Sequence, residues 1–306
     1  MPQFTKLGVI QRDAYPDLLD KSMDVVWNRR DEFRGELGQF FETIDAESDT
    51  FKISSIGSAL PLPKENEDTD GIPMEQPAPG HTKTITLIPY RQGIRVTDSM
   101  VSTERFGKVA SMVQGIVKSP MQLREYQRAT VFDNAFSGTA GADSLSLCSN
   151  SHPHENITAG TWDNLTTGVL NGDNLQAAHL LHRKIKNEQN NPDPVRPRVL
   201  LIPPDLLQMA EELTSSVQKP ETALNDPNVL IKSFGIVVSE YLNSTTAWFT
   251  IGDLTGEERG LVEIVNQALN IKPMAPETDI LFARRSKSIH AVTFTLSKNV
   301  VGSAGS

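Results

Sequence analysis

Cysteine is nearly absent: Cys148 stands alone among 306 residues, so no intrachain disulfide can form, which suits a reducing compartment. Long apolar runs are missing as well. No stretch approaches the roughly 18 residues of a membrane span, and residues 1–10 lack a basic region followed by an apolar core, so neither a span nor a leader is expected and the chain is assigned to the cytosol. Positive charge is scarce. Twenty-nine basic against 38 acidic residues give a formal net charge of -9, which argues against a protein that coats nucleic acid through a basic stripe. Catalytic signatures are lacking too: there is no Gly-x-Ser-x-Gly elbow, no phosphate-binding Gly-rich loop, no dinucleotide fingerprint after a strand and no His-Glu-x-x-His. No catalytic residue and no cofactor are predicted.

What is present begins with 38% hydrophobic residues, enough to bury a substantial core in one large or two modest domains. Residues 97–136 carry the longest periodic pattern: Val109, Val113, Ile116, Leu123, Tyr126, Ala129, Phe132 and Phe136 recur at three-and-four spacing, with Thr97 and Asp98 as N-caps. A continuous helix of that length would run roughly 58 Å at about 1.5 Å per residue. Pro120 falls in its middle and predicts a kink near Ser119 or two helices end to end. Upstream, residues 16–43 read as an amphipathic helix with Leu19, Met23, Val26, Phe33, Leu37, Phe40 and Ile44 on one face. That face needs a partner, either the long helix or another subunit.

Between these helices, residues 50–60 and 82–97 read as strands, the second alternating Ile85 and Leu87 with Thr84 and Thr86, and they are expected to pair as one long hairpin. Its proline-stiffened tip, 61–80, sets Glu65, Glu67, Asp68, Asp70 and Glu75 against a single Lys64. A two-stranded hairpin is only marginally stable in water, so it should lie on another surface.

Residues 137–161 are rich in Gly, Ser, Asn and Thr and read as a surface connection. They hold a metal-like cluster of Cys148, His152 and His154, with His179 and His182 three apart on the next helix. No second cysteine or carboxylate at a ligand spacing accompanies them, and His152-Pro153-His154 is turn-like, so no metal is predicted. Asp173 and Gln176 suggest a capping box for a helix that buries Leu175, Ala178, Leu181 and Ile185. Residues 199–202 read as a central strand closed by Pro203 and Pro204, followed by a helix burying Leu206, Ala210, Leu213 and Val217. Strands are expected at 235–242, 247–253 and 261–267, then a final hairpin of 279–286 with 289–297, and a mobile tail at 302–306.

Three stretches in this order carry a resemblance to the major capsid proteins of tailed bacteriophages, the fold family named after a Hong Kong coliphage. ITLIPYRQGIRVTDSM (85–100) looks like the return strand of that family's extended loop running into its spine helix. SNSHP (149–153) is similar to a Ser/His-Pro segment of one branch, of which the Mu-like head subunits are a candidate, and RVLLIPPDLLQMAEEL (198–213) resembles the strand, double proline and helix of the axial domain. The resemblance implies an α+β fold with an N-terminal arm (1–46), an extended β-hairpin loop (47–96), a peripheral domain with the spine helix (97–166), an axial domain (167–260) and closing peripheral strands with the tail (261–306). It also implies a shell subunit that assembles with itself into pentamers and hexamers around double-stranded DNA, without gripping the DNA specifically. Scaffolding, portal and decoration proteins would be its partners, the host bacterial cytoplasm its place of assembly and the virion capsid its destination. Inter-subunit contacts are expected at Leu19, Trp27 and Phe33, at Lys64, Glu65, Glu67, Asp68 and Asp70 of the acidic tip, and at Arg284 and Arg285, a basic pair suited to that tip. An encapsulin-like nanocompartment shell is the structural alternative, and a zinc-dependent enzyme using Cys148 and the histidines is the alternative of another class.

Overall fold

The computed structural model describes residues 15–28, 35–56, 79–103, 106–154, 160–186, 191–219, 227–228, 230, 233–253, 260–274 and 280–305. In chain order these form helix α1 (Tyr15–Asn28), a 3₁₀ turn (Glu36–Phe40), strands β1 (Glu42–Asp45), β2 (Thr50–Ile56), β3 (Pro79–Thr86) and β4 (Ile88–Thr97), and helices α2 (Asp98–Thr103) and α3 (Phe106–Asp133). Short strands β5 (His152–Pro153), β6 (Thr161–Trp162) and β7 (Leu165–Thr166) precede α4 (Gly172–Lys184), β8 (Pro197–Ile202), α5 (Leu207–Ser215), β9 (Gly235–Val238), β10 (Trp248–Gly252), β11 (Leu261–Pro273), β12 (Ile280–Phe294) and β13 (Val300–Ser303). Two units emerge: residues 1–35, 88–125 and 266–290 form one, and 36–87, 126–265 and 291–306 the other.

In the first unit β4 pairs antiparallel with β12, from Thr97 opposite Ile280 to Ile88 opposite His290. Ile94, Val96 and Phe282 point to one side of this pair, where Leu19, Val109 and Val113 pack on them; Val26, Ile116 and Val117 make a second cluster with Ile271. Leu19 is fully buried there, worth about 1.5 to 3 kcal/mol, so the apolar stripe of α1 is covered within its own unit. Helix α3 is continuous through Pro120, which overturns the expectation of two helices end to end there. Proline deprives the Ile116 carbonyl of its helical donor, at about 3 kcal/mol, and the buried flank of Ile116 and Val117 offsets the loss.

The helix expected over 16–43 ends at Asn28, and Phe33 lies outside the described residues. Leu37 and Phe40 sit in the 3₁₀ turn, while Ile44 belongs to β1, which pairs in parallel with β11 from Glu42–Val262 to Asp45–Val265. Gly38 shows why the path changes: a Cβ there would stand 2.9 Å from the Arg128 guanidinium, so the turn needs a residue that is also a poor helix former.

The second unit is built on a five-stranded sheet in the order β7-β13-β10-β8-β9. Both faces are covered, which explains the unbroken apolar run of β8: Leu200 and Ile202 meet Leu175, Ala210, Leu213 and Trp248, while Leu201 on the other face meets Phe132, Phe249 and Ile251. Gly302 and Ser303, assigned to a mobile tail, belong to β13, an inner strand of this sheet whose four residues are all buried. Gly302 is small by necessity, because a Cβ there would lie 2.7 Å from both Cys148 Sγ and the Phe249 ring.

Four further departures follow, the first two of them because strand partners distant in sequence decide element boundaries. The strand expected at 82–97 divides at Leu87: β3 pairs with β2, and β4 leaves to pair with β12. The closing hairpin is instead the single strand β12, neighboured by β11 and β4, because pairing with β4 runs straight through Ser286, Lys287 and Ser288. Helix α4 is capped by Asn171, whose side chain accepts from Asn174 N at 2.7 Å, and not by Asp173. Val217, expected inside, is 74% exposed beyond the end of α5.

Candidate assembly surface

Strand alternation sorts the sheet of the first unit into two faces. Arg284 has the parity of the helix-covered face, where its Nε donates to Asp20 Oδ1 at 3.0 Å, its Nη2 donates to Asp20 Oδ2, and the guanidinium stacks 4.5 Å from the Phe282 ring. The opposite face sets Arg95, Gly93 and Arg91 of β4 across from Ala283, Arg285 and Lys287 of β12. Arg91, Arg95 and Arg285 are exposed, Lys287 is half-buried, and Lys272 of β11, next to the inward Ile271, is exposed. No aspartate or glutamate occurs in 88–97, 266–274 or 280–290. In a chain of net charge -9, this concentrates five cations on one sheet face.

The β2–β3 hairpin of the second unit is two-sided. Thr50, Lys52, Ser54, Thr82, Thr84 and Thr86 are exposed on one side, with Ser54 Oγ and Thr82 Oγ1 2.7 Å apart, while Phe51, Ile53, Lys83 and Ile85 take the other. Lys83 fixes its root: Nζ donates at 2.8 Å to each of Ala140 O, Thr293 Oγ1 and Phe294 O, and lies 4.7 Å from the Phe294 ring centroid. Burial brings this amine down to about 8, against the pull of nearby Asp143.

Within the same unit, the described part of the 137–161 connection, 137–154 and 160–161, contributes to a polar hub. His152 is 1% exposed, with Nδ1 2.5 Å from Asp143 Oδ2, Nε2 3.1 Å from Asn164 Oδ1, and its ring stacked on Trp162. Asn164 has a fixed amide orientation: Nδ2 donates to Leu147 O, Ser297 O and Val300 O at 2.8, 3.2 and 2.9 Å, and Oδ1 accepts from Ser149 N at 2.8 Å. His152 therefore faces an oxygen acceptor on each side of its ring. Burial pushes the Asp143 carboxyl up, but hydrogen bonds from His152 and the Leu145 N–H outweigh it and bring the group below the ordinary carboxylate range.

The histidines and cysteine that suggested zinc are thus engaged separately. Burial raises the Cys148 thiol, while His182, fully buried with Nε2 3.1 Å from Thr250 Oγ1, is lowered by burial to about 4 and is neutral. Among the described residues, no group of three His, Cys, Asp or Glu side chains is placed to hold a metal ion. Cys148→Ser is expected to cost about 1 to 3 kcal/mol in urea unfolding, because a hydroxyl replaces a thiol in an apolar site. A thiol reagent should label Cys148 only on unfolding; labelling of the native chain at the rate of a free thiol would contradict this burial.

Residues 82–293 match the model of a family described as phage capsid protein. The chain belongs to this phage capsid family. Among solved structures it is similar to the capsid of bacteriophage JBD30, at 12% identity over 69% of this chain and 91% of that chain with a TM-score of 0.55. It is similar to the capsid of cyanophage P-SCSP1u at 11% identity over 86% of each chain, TM-score 0.53, and to a virus-like particle from Pyrococcus furiosus at 12% identity over 94% of this chain and 98% of that one, TM-score 0.50. At such identities the likeness is one of fold, and the fold is the α+β capsid fold. No curated protein sequence matches. Family and fold together point to a structural role in a shell.

The contact residues anticipated for such a capsid protein are placed unevenly. Leu19 is enclosed in its unit, Trp27 is half-buried beside the Val26, Ile116 and Val117 cluster, and Arg284 is tied to Asp20. Arg285 alone of the basic pair stands outward, while Phe33, Lys64, Glu65, Glu67, Asp68 and Asp70 lie outside the described residues. Arg91, Arg95, Lys272 and Lys287 were not singled out from the sequence, although they share the basic face with Arg285. Their signal was available as alternating cations on acid-free strands, but it becomes a surface only once β4 is known to pair with β12.

Proposed function

We propose that this capsid protein is the major head subunit of a tailed phage, of the Hong Kong coliphage type and the Mu-like branch, assembling with itself into pentamers and hexamers that close an icosahedral shell around double-stranded DNA. The observation that carries the reading is the family match over 82–293, which takes in most of the return strand of the hairpin, α3, four of the five strands of the larger sheet and most of β12. In this reading 1–46 is the arm, 47–96 the extended loop, 97–166 and 261–306 the peripheral domain and 167–260 the axial domain. Scaffolding, portal and decoration proteins are its partners, with assembly in the host cytoplasm and residence in the virion. Arg285 and Trp27 remain suited to contacts between copies, whereas Leu19 and Arg284 serve their own unit. A nanocompartment shell would use the same fold, but the family match favours the phage reading.

The exposed hindrance-free side of the β2–β3 hairpin suits a contact between copies, since an isolated two-stranded ribbon gains stability by lying on another surface. Deleting residues 53–83 is expected to leave a folded subunit that sediments as small species and closes no shells. Normal particles from the deletion variant would remove the hairpin from the assembly mechanism.

A further inference from the structure

Among the described residues the β2–β3 hairpin pairs with no third strand, so its hold on the second unit has to come from side chains at its root. Lys83 supplies such a hold, and its site has an unusual chemistry. The Ala140 carbonyl, the Thr293 hydroxyl and the Phe294 carbonyl, each 2.8 Å from Nζ, match the three N–H donors of an ammonium, yet none of them carries charge. The Asp143 carboxylate nearby is engaged elsewhere: Oδ1 accepts from the Leu145 N–H at 3.1 Å, and Oδ2 meets His152 Nδ1 at 2.5 Å. A seated ammonium therefore leaves water without a hydrogen-bonded counter-ion, which is costly. The neutral amine suits the same three partners. Its two N–H groups serve the carbonyls, and its lone pair accepts from Thr293, the one partner with a hydrogen to give. We propose that Lys83 is a proton-gated latch for the hairpin: the root grips the second unit more tightly when Lys83 gives up its proton, and Thr293 turns from acceptor to donor to keep the site satisfied. The device belongs to the subunit itself and does not depend on assembly.

The groups that face Lys83 fix the sign of the effect. Asp143 of the connection, with His152 behind it, is the nearby carboxylate; His81 shares the side of β3 that carries Lys83; β2 sets Ile53 opposite; and β12 contributes Thr293 and Phe294, both uncharged. Asp143 and the Phe294 ring, 4.7 Å from Nζ, favour the ammonium, but burial prevails and brings the seated amine from its ordinary 10.5 to about 8. Lifting the hairpin returns the amine to water and to the ordinary value. The lifted form thus holds the proton more tightly, so protonation favours lifting, its loss favours seating, and the gain in seating accrues between about pH 8 and pH 10.5.

Amide hydrogen exchange of the full chain with millisecond mixing, corrected for the intrinsic rate at each pH, reads the opening of β2 and β3. In the wild type, protection of these amides is expected to rise about tenfold from pH 7 to pH 9, the shift in the opening equilibrium that proton affinities of about 8 and 10.5 dictate. Lys83→Met, which keeps a long apolar stem and has no charge, should show no such rise. Lys83→Arg, a cation that keeps its proton throughout, should be protected no better at pH 9 than at pH 7. An anchor that acts through packing alone would lower protection in both variants while leaving their pH profiles parallel to that of the wild type. A wild-type profile that stays flat from pH 7 to pH 9, or a rise that persists in Lys83→Met, would overturn the proposal. If either variant fails to fold, titration of the wild-type Lys83 side chain by NMR decides: a midpoint near 8 is expected, and one near 10.5 would overturn the latch.

Discussion

Asn164→Ala is expected to destabilise the subunit by about 3 to 5 kcal/mol, a large fraction of the roughly 5 to 15 kcal/mol that holds a folded domain together. The Asn164 side chain is fully buried and serves the Leu147, Ser297 and Val300 carbonyls, the Ser149 N–H and His152. Alanine takes this partner from the three carbonyls and the Ser149 N–H in a site closed to bulk water, and each unmet buried group costs about 1 to 3 kcal/mol, with some relief from rearrangement. Val300 opens β13, so the damage should spread from the loop into the five-stranded sheet. Urea unfolding of the full chain measures it. A loss below about 1 kcal/mol would show that the hub merely decorates the loop.

Arg128→Met should be comparably severe for a different reason. Arg128 donates to Glu263 Oε2 from Nε at 3.2 Å and from Nη2 at 2.5 Å, and the two side chains are 13% and 2% exposed. Glu263 sits on β11 opposite Thr43, so it cannot swing into water without disturbing the β1 pairing. Removing the cation takes two charge-assisted hydrogen bonds from a buried carboxylate, at a cost of about 3 to 5 kcal/mol, whereas Arg128→Met combined with Glu263→Leu should recover most of it. A double variant no more stable than Arg128→Met alone would show that packing of the Arg128 stem, and not its charge, carries the effect.

The elements legible from sequence were those set by local pattern. Periodicity located α3, although not its passage through Pro120, and the apolar run before Pro203-Pro204 located β8. Elements set by distant partners were not legible. Ile44 fits a helical face as well as a strand until β11 is beside it, and Gly302 looks like tail composition until Cys148 and Phe249 crowd it. The basic sheet face shows the same division: Arg284 and Arg285 are neighbours in sequence, yet strand parity sends one to Asp20 and the other outward, and no reading of their charge alone could separate them. The SNSHP stretch was recognisable, but the role of its histidine depends on Asp143 and Asn164 converging on it.

Electron microscopy of the purified full-length chain under assembly conditions tests the central claim most directly. The shell reading predicts closed, thin-walled icosahedral particles whose reconstruction resolves capsomers of five and six copies, with the α+β subunit repeated throughout. A preparation that remains a small, discrete oligomer across salt and protein concentration, with or without co-expressed phage assembly proteins, would contradict it.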